Sequence, residues 1–211
     1  MLSITAEQFP ISFGLRSYYL ITGATDKAQR LSEELMVLSE SVEDDGLKLE
    51  AHVGQASCLF FQGDLVHSYR HALAGIRLYD ACSHANHAAI YGLDPGVFCY
   101  ARAGQCAWTL GYPEQSLDYV VSSFKISDIT QHYYSQVFAY QNLSLIHLYR
   151  REGSKALAIA QHAKKLALDH DYRFMQVWSC HHIAWAFAMM DDVSAARSAI
   201  SEALNCTAAS D

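Results

Sequence analysis

The chain has 211 residues, with 15 Lys and Arg against 22 Asp and Glu, giving a formal charge of −7. Proline is scarce (3 residues), glycine is modest (11), and 51% of the residues are apolar. That composition excludes a collagen-like or disordered chain and argues against a turn-rich all-β sandwich or a nucleic-acid reader with a large basic surface.

The first residues, 1–7, have no basic region and no long apolar run, so no secretory signal is expected. A first helical pattern covers 8–22. A turn through Gly23 leads to a second helix over 25–41, and a second pair covers 46–62 and 64–79 around Gly63 and Asp64. An insertion from Asp80 to Asp94 follows, with a short helix expected around 83–90. The third pair covers 95–110 and 113–126, the fourth 130–150 and 154–169, and the fifth 172–190 and 192–206. The uncharged run from Phe174 to Met190 contains Gln176, Ser179, Cys180, His181 and His182. It is too short and too polar for a membrane span and reads as a core helix. The cysteines at 58, 82, 99, 106, 180 and 206 form no C-x-x-C and no zinc-type spacing, so reduced thiols and a cytoplasmic location are expected.

A small residue opens each second helix: Ala28, Ser68, Ser116, Ala156 and Ala195. The separations are 40, 48, 40 and 39 residues, and a period near 40 with one insertion is the pattern of stacked helical hairpins. Gly23, Gly63 and Gly111 sit where a helix ends and positive φ is cheap. Thr25, Asp64 and Ser154 suit the N-cap, and Pro95 and Pro113 suit helix starts. The expected architecture is a single all-α region over 1–211. It is a right-handed α-solenoid of about five repeats (8–41, 46–79, 95–126, 130–169, 172–206) with an insertion at 80–94.

These pairs resemble tetratricopeptide repeats in a longer form of about 40 residues. One block is more specific: Leu78-Tyr79-Asp80, His84, Tyr91-Gly92-Leu93-Asp94-Pro95-Gly96-Val97 and Trp108-Thr109-Leu110-Gly111-Tyr112-Pro113-Glu114-Gln115-Ser116-Leu117. It is similar to the C-terminal repeat regions of bacterial class III adenylate/guanylate cyclase or kinase proteins that carry a STAND-type ATPase. Leu49-Glu50-Ala51-His52 and Phe61-Gln62-Gly63-Asp64 fit the same pattern, and the resemblance covers roughly 25–200. It implies a sensor or scaffold role in bacterial signalling or transcriptional regulation. The chain carries no cyclase, kinase or P-loop segment, so either a stand-alone repeat protein or a fragment is expected.

No catalytic signature appears: there is no G-x-S-x-G and no local Cys/His signature. Asp44-Asp45 and Asp191-Asp192 lie at helix starts, where the dipole favours them. His84 and His87 share a helix face but lack a third ligand nearby, and adjacent Cys180, His181 and His182 diverge by about 100° each. No metal, no cofactor and no enzymatic activity are therefore expected.

The inner groove of such arrays is lined by the first helices. Counting back from the anchors places Phe98, Gln105, Trp108, Phe138, Gln141, Leu145 and Tyr149 towards it. Aromatic and amide side chains together suit a protein or peptide segment, through stacking and backbone hydrogen bonds. The first helices supply few cations (Arg16, Lys48, Arg102, Arg150, Arg173), which argues against a basic two-carboxylate clamp. A small-molecule sensor is the second expectation. A third is weak self-association through an open solenoid end, where Phe9, Phe13, Tyr18 and Tyr19 are expected to be exposed. No nucleic-acid or membrane partner is expected.

Overall fold

The computed structural model describes residues 5–208. After a short 3-10 turn at Ala6–Gln8, helix α1 (Phe9–Ile21) pairs with α2 (Thr25–Glu40), and α3 (Asp45–Phe61) pairs with α4 (Leu65–Leu78). A one-turn helix α5 (His87–Tyr91) interrupts the series. Then α6 (Pro95–Thr109) pairs with α7 (Pro113–Thr130), α8 (Tyr133–Tyr149) with α9 (Gly153–Asp169), and α10 (Arg173–Met189) with α11 (Val193–Ala208). The first helices also pack across pairs, α3 on α6, α6 on α8 and α8 on α10. The result is a right-handed solenoid of five helical pairs, with the first helix of each pair on the inside. No described helix is long and apolar enough to cross a membrane.

The repeat is built at its turns. Residues 23, 63, 111, 151 and 191 all have positive φ, between 61° and 90°. The next residue in each turn donates its N–H back to the carbonyl five positions earlier: Ala24 to Tyr19, Asp64 to Leu59, Tyr112 to Ala107, Glu152 to His147 and Asp192 to Phe187. This closes the first helix as a Schellman motif closes one. The same residue then accepts, on its own carbonyl, the N–H of Ala28, Ser68, Ser116, Ala156 or Ala196. The fifth anchor is therefore Ala196 rather than Ala195, and the true spacing is 40, 48, 40 and 40. Two adjacent alanines hid the register in the sequence. Main-chain bonding resolves it.

The anchors are small because the helices meet there. Ala28, Ser68, Ser116 and Ala156 are fully buried. The hydroxyls of Ser68 and Ser116 donate to Ala56 O and Gly104 O, each twelve residues back, at 2.7 and 2.8 Å. In the fourth pair the roles reverse, and Ser144 donates to Ala156 O at 3.0 Å. Opposite the third anchor, a Cβ on Gly104 would stand 2.6 Å from Val120 Cγ1 and 3.0 Å from Ser116 O.

Helix α7 runs four residues beyond its expected end at 126. Its last turn is polar, but Ser127 and Thr130 return their hydroxyls to the carbonyls of Phe124 and Ser127, and Gln131 ends the helix at φ 51°. Phe9 and Phe13, expected at an exposed solenoid end, are instead buried. They pack on Tyr91 of the insertion, whose ring lies 6.3 and 5.1 Å from theirs. Ile11, Leu15, Tyr18 and Ile21 are the large apolar residues α1 exposes.

Two pieces of the distinctive block, 78–80 and 91–97, meet in space. Asp94 caps α6 by accepting the Val97 N–H at 2.9 Å, and it also accepts the Tyr79 hydroxyl at 3.1 Å. Pro95 sits at the first helical position, and a Cβ on Gly96 would lie 2.5 Å from the Tyr79 ring. Tyr79, Asp94, Pro95 and Gly96 thus tie the insertion to the start of α6.

Two substitutions test this account. Gly104→Ala forces a methyl against Val120 and the α7 backbone and is expected to destabilise the fold by about 1–3 kcal/mol. Arg151→Gly removes a side chain from the left-handed region and is expected to stabilise it by about 0.5–1 kcal/mol. Denaturant unfolding followed by circular dichroism checks both signs.

Candidate functional site

The inner helices line a half-open cavity of about 490 Å³. Its wall takes Phe13, Arg16 and Ser17 from α1, Glu50 and Val53 from α3, Tyr91 from the insertion, and Phe98 and Arg102 from α6. It continues with Phe138 from α8 and Phe174, Trp178 and His181 from α10. Residues of the first and last pairs therefore face one space. The superhelix curls far enough to make its concave side a pocket.

The lining follows the repeat. Glu50, Phe98, Phe138 and Trp178 stand at one register, 48, 40 and 40 residues apart, matching the anchors. Three of them form a ladder of rings. Phe98 stacks on Phe138 at 6.2 Å, and Phe138 meets Trp178 edge-on at 6.0 Å. Two turns further along, Ser17 and Ser57 share another register and also line the cavity.

Three charged side chains are set in this apolar wall. Arg16 is 4% exposed, Arg102 6% and Glu50 1%. The Arg102 guanidinium lies over the Phe60 ring at 3.9 Å and near Phe98 at 5.2 Å. It donates to Gln105 Oε1 at 2.6 Å; the Gln105 amide donates to Asn142 Oδ1 at 2.7 Å, and Asn142 to Phe138 O at 2.8 Å. A guanidinium can only donate, so it fixes which way both amides point. Arg16 lies 4.3 Å over Phe13 and donates to the Ser17 hydroxyl at 2.9 Å. Burial lowers both arginine pKa values, that of Arg102 to about 10. Both remain cations at neutral pH.

Glu50 is held differently. Burial raises its pKa to about 7, against the opposing pull of His87, whose Nδ1 lies 2.8 Å from Oε1. His87 comes from α5, so the insertion supplies the partner for this carboxyl as well as the Tyr91 wall.

The predicted groove residues divide. Phe98 and Phe138 line the cavity. Gln105 holds Arg102 from behind. Gln141 is fully buried, donating to Met175 O and Ser179 Oγ at 2.7 and 2.9 Å, so it belongs to the contact between α8 and α10. Trp108 stacks on Tyr149 at 5.6 Å, and Tyr149 meets Trp185 at 5.8 Å, forming a second aromatic row near the ends of the inner helices. Leu145 is half-buried on α8. Counting by side-chain type alone missed Arg16, Glu50, Tyr91 and Trp178 as lining residues. The register of Phe98 would have reached Glu50 and Trp178. Nothing in the local sequence marks Tyr91.

The histidines singled out for metal are engaged otherwise. His84 Nδ1 accepts the Asp80 N–H at 3.0 Å, and His87 pairs with Glu50. His182 is buried, and burial lowers its pKa to about 4, while its neighbour His181 faces the cavity. Among the described residues no three His, Cys, Asp or Glu side chains are gathered to hold a metal ion.

No protein-family model and no curated protein matches the chain. Solved structures do. A Rap protein complexed with Competence and Sporulation Factor superposes at a TM-score of 0.83 and 14% identity, over 97% of this chain and 55% of that one. The chain thus spans about half the length of that Rap protein. BtubC (BKLC) from P. vanneervenii matches at 0.69 and 13% identity, over 96% and 80% of the two chains. A Podosopora anserina putative kinesin light chain with TPR-like repeats matches at 0.64 and 11%, over 94% of each. The fold is a tetratricopeptide-like helical solenoid.

Glu50 yields a pH prediction. Its ordinary pKa is 4.5, and its folded value is about 7. Between those values the unfolded chain releases the proton while the folded one keeps it, so this group's contribution to stability falls as pH rises. Glu50→Gln removes that loss. The stability of Glu50→Gln relative to wild type is expected to rise by about 1–3 kcal/mol between pH 5 and 8, measured by urea unfolding at each pH.

Proposed function

We propose that this chain is a non-enzymatic interaction module that holds a protein or peptide segment in its concave cavity, in a bacterial signalling or regulatory setting. The observation that carries this reading is the preformed cavity, walled by every inner helix and carrying an aromatic ladder with a few convergent polar groups. An extended chain suits that surface, because aromatic faces take alternate side chains while hydroxyl, imidazole and guanidinium groups meet its backbone. The similarity to interaction solenoids supports it, including a Rap structure that is itself a complex with Competence and Sporulation Factor.

A second reading is a small-molecule sensor. The cavity volume of about 490 Å³ falls within the range of roughly 300–1,000 Å³ usual for such ligands. A thermal-shift screen against metabolites addresses it directly.

The first reading is tested with random peptides displayed on phage and selected against the whole chain. Selected peptides are expected to lose at least tenfold in affinity, by calorimetry, when Phe138→Ser or Trp178→Ala opens the ladder. Equal affinity in the wild type and both variants overturns the assignment of the cavity.

A further inference from the structure

The two ends of the solenoid expose registers that are buried at the other repeats. On α1, Ile11 and Tyr18 are 76% and 61% exposed. Their counterparts in α3, Ala51 and Cys58, are buried, as are Cys99 and Cys106 in α6 and the residues at the same registers of α8 and α10. On α11, Ile200 is 41% exposed. Ala160 of α9 and Val120 of α7 stand at its register and are buried, and so are the counterparts in α4 and α2.

The internal junctions show what these registers meet. Ser32 of α2 lies 3.3 Å from the Cys58 sulfur of α3, and Ala160 of α9 packs in one cluster with Ile183 of α10. Gln105 of α6 donates to Asn142 of α8 at 2.7 Å, and Gln141 of α8 donates to Ser179 of α10 at 2.9 Å. Each contact joins one pair to the next. Carried by register past the last pair, the same contacts join Ile200 to a Tyr18 and a Leu15, Trp185 to a Gly14, and His181 to an Ile11.

The side chains at the two ends suit one another. Ile11, Gly14, Leu15 and Tyr18 form a single stripe of α1 at i, i+3, i+4 and i+7. A Cβ on Gly14 would meet nothing within 4 Å, so the stripe has an open place for a large ring, and Trp185 is an exposed one. No Lys, Arg, Asp or Glu stands at any of these positions on either end. A solenoid end that stays in water is ordinarily polar. These ends are apolar, and they are the two sides of the contact by which successive pairs of this chain stack. The occupant that matches each end is therefore the other end of a second copy.

We propose that copies of this chain stack head to tail, α1 of one copy seated on α10 and α11 of the next. This goes beyond the interaction-module reading and does not depend on what the cavity holds. The two faces differ, so the contact is heterologous and builds open chains or rings rather than a two-fold dimer. Ile200 and Tyr18 are bulkier than Ser32 and Cys58. Copies therefore sit farther apart than successive pairs do, and their association is weaker than the stacking inside the chain.

The test is sedimentation velocity on the whole chain, from micromolar to near-millimolar concentration. The weight-average mass is expected to rise with concentration and to pass that of a dimer. Tyr18→Glu blocks one face and Ile200→Glu the other, and each alone is expected to weaken association at least about tenfold. An equimolar mixture of the two variants is expected to form one heterodimer and nothing larger, because each keeps a single intact face. Both side chains are exposed, and circular dichroism checks that the variants fold. Leu15→Glu and Trp185→Glu repeat the pairing on the same two faces if either does not. A chain that stays monomeric throughout overturns the proposal and leaves these faces to a different protein. A dimer that Tyr18→Glu abolishes and Ile200→Glu spares overturns it in favour of a two-fold contact of α1 on α1. Association that neither variant weakens overturns it as well.

Discussion

The close approach of two helices at one small residue per pair governs this structure. Ala28, Ser68, Ser116 and Ala156 have no exposed surface, and the facing carbonyl is near enough for Ser68 and Ser116 to bond to it. A larger side chain at any of these points would push the hairpin open. Because the same contact recurs every 40 residues, or 48 across the insertion, each hairpin stacks on the next in one register. That repeated stacking curls the solenoid. The curl in turn brings α1 and α10 to one cavity.

The insertion breaks the period and serves the site. Its eight extra residues form no further hairpin. They place Tyr91 against Phe9 and Phe13, and His87 against Glu50. The block around Asp94 then fixes the return into α6 through one carboxylate that caps a helix and accepts a tyrosine hydroxyl. A plain array would leave the α1–α3–α6 corner of the groove without this wall. The distinctive block thus takes part in the wall itself, through Tyr91 and Leu93.

The charges divide in a similar way. Ion pairs such as Arg150–Glu114 and Lys164–Glu202 lie on outward surfaces, where water screens them. The Arg16 and Arg102 guanidiniums lie inside. Water can stabilise an exposed cation at any position, but a buried one needs a partner or an aromatic face. Here the aromatic faces belong to Phe13, Phe60, Phe61 and Phe98, so aromatic content alone does not mark ligand contact. Trp108 and Tyr149 pack on each other for a comparable reason, since a large ring at an inter-repeat seam finds another ring one repeat away.

Much of the fold was legible in the sequence, because helix periodicity, turn glycines and small anchors are local signals that repeat. Apart from the insertion helix, which starts at His87, and the longer α7, the helices of the described residues lie close to their expected spans, and turns fall where Gly23, Gly63 and Gly111 stand. Arg151 and Asp191 take the same left-handed position without glycine, and only the register identifies them. Phe98 and Phe138 were legible as groove residues for the same reason. Gln141 was not, since the same inner-helix register can face the cavity at one repeat and the next helix at another. Which side chain does which depends on how far the superhelix has turned by that repeat. That Arg16 and Arg102 line one space depends on curvature summed over several repeats, and His87 reaches Glu50 from an insertion. The sequence by itself determined the repeat and its fold, which rest on contacts between near neighbours. Only the tertiary structure decided that the groove forms one pocket, because that pocket joins residues of the first pair to residues of the last.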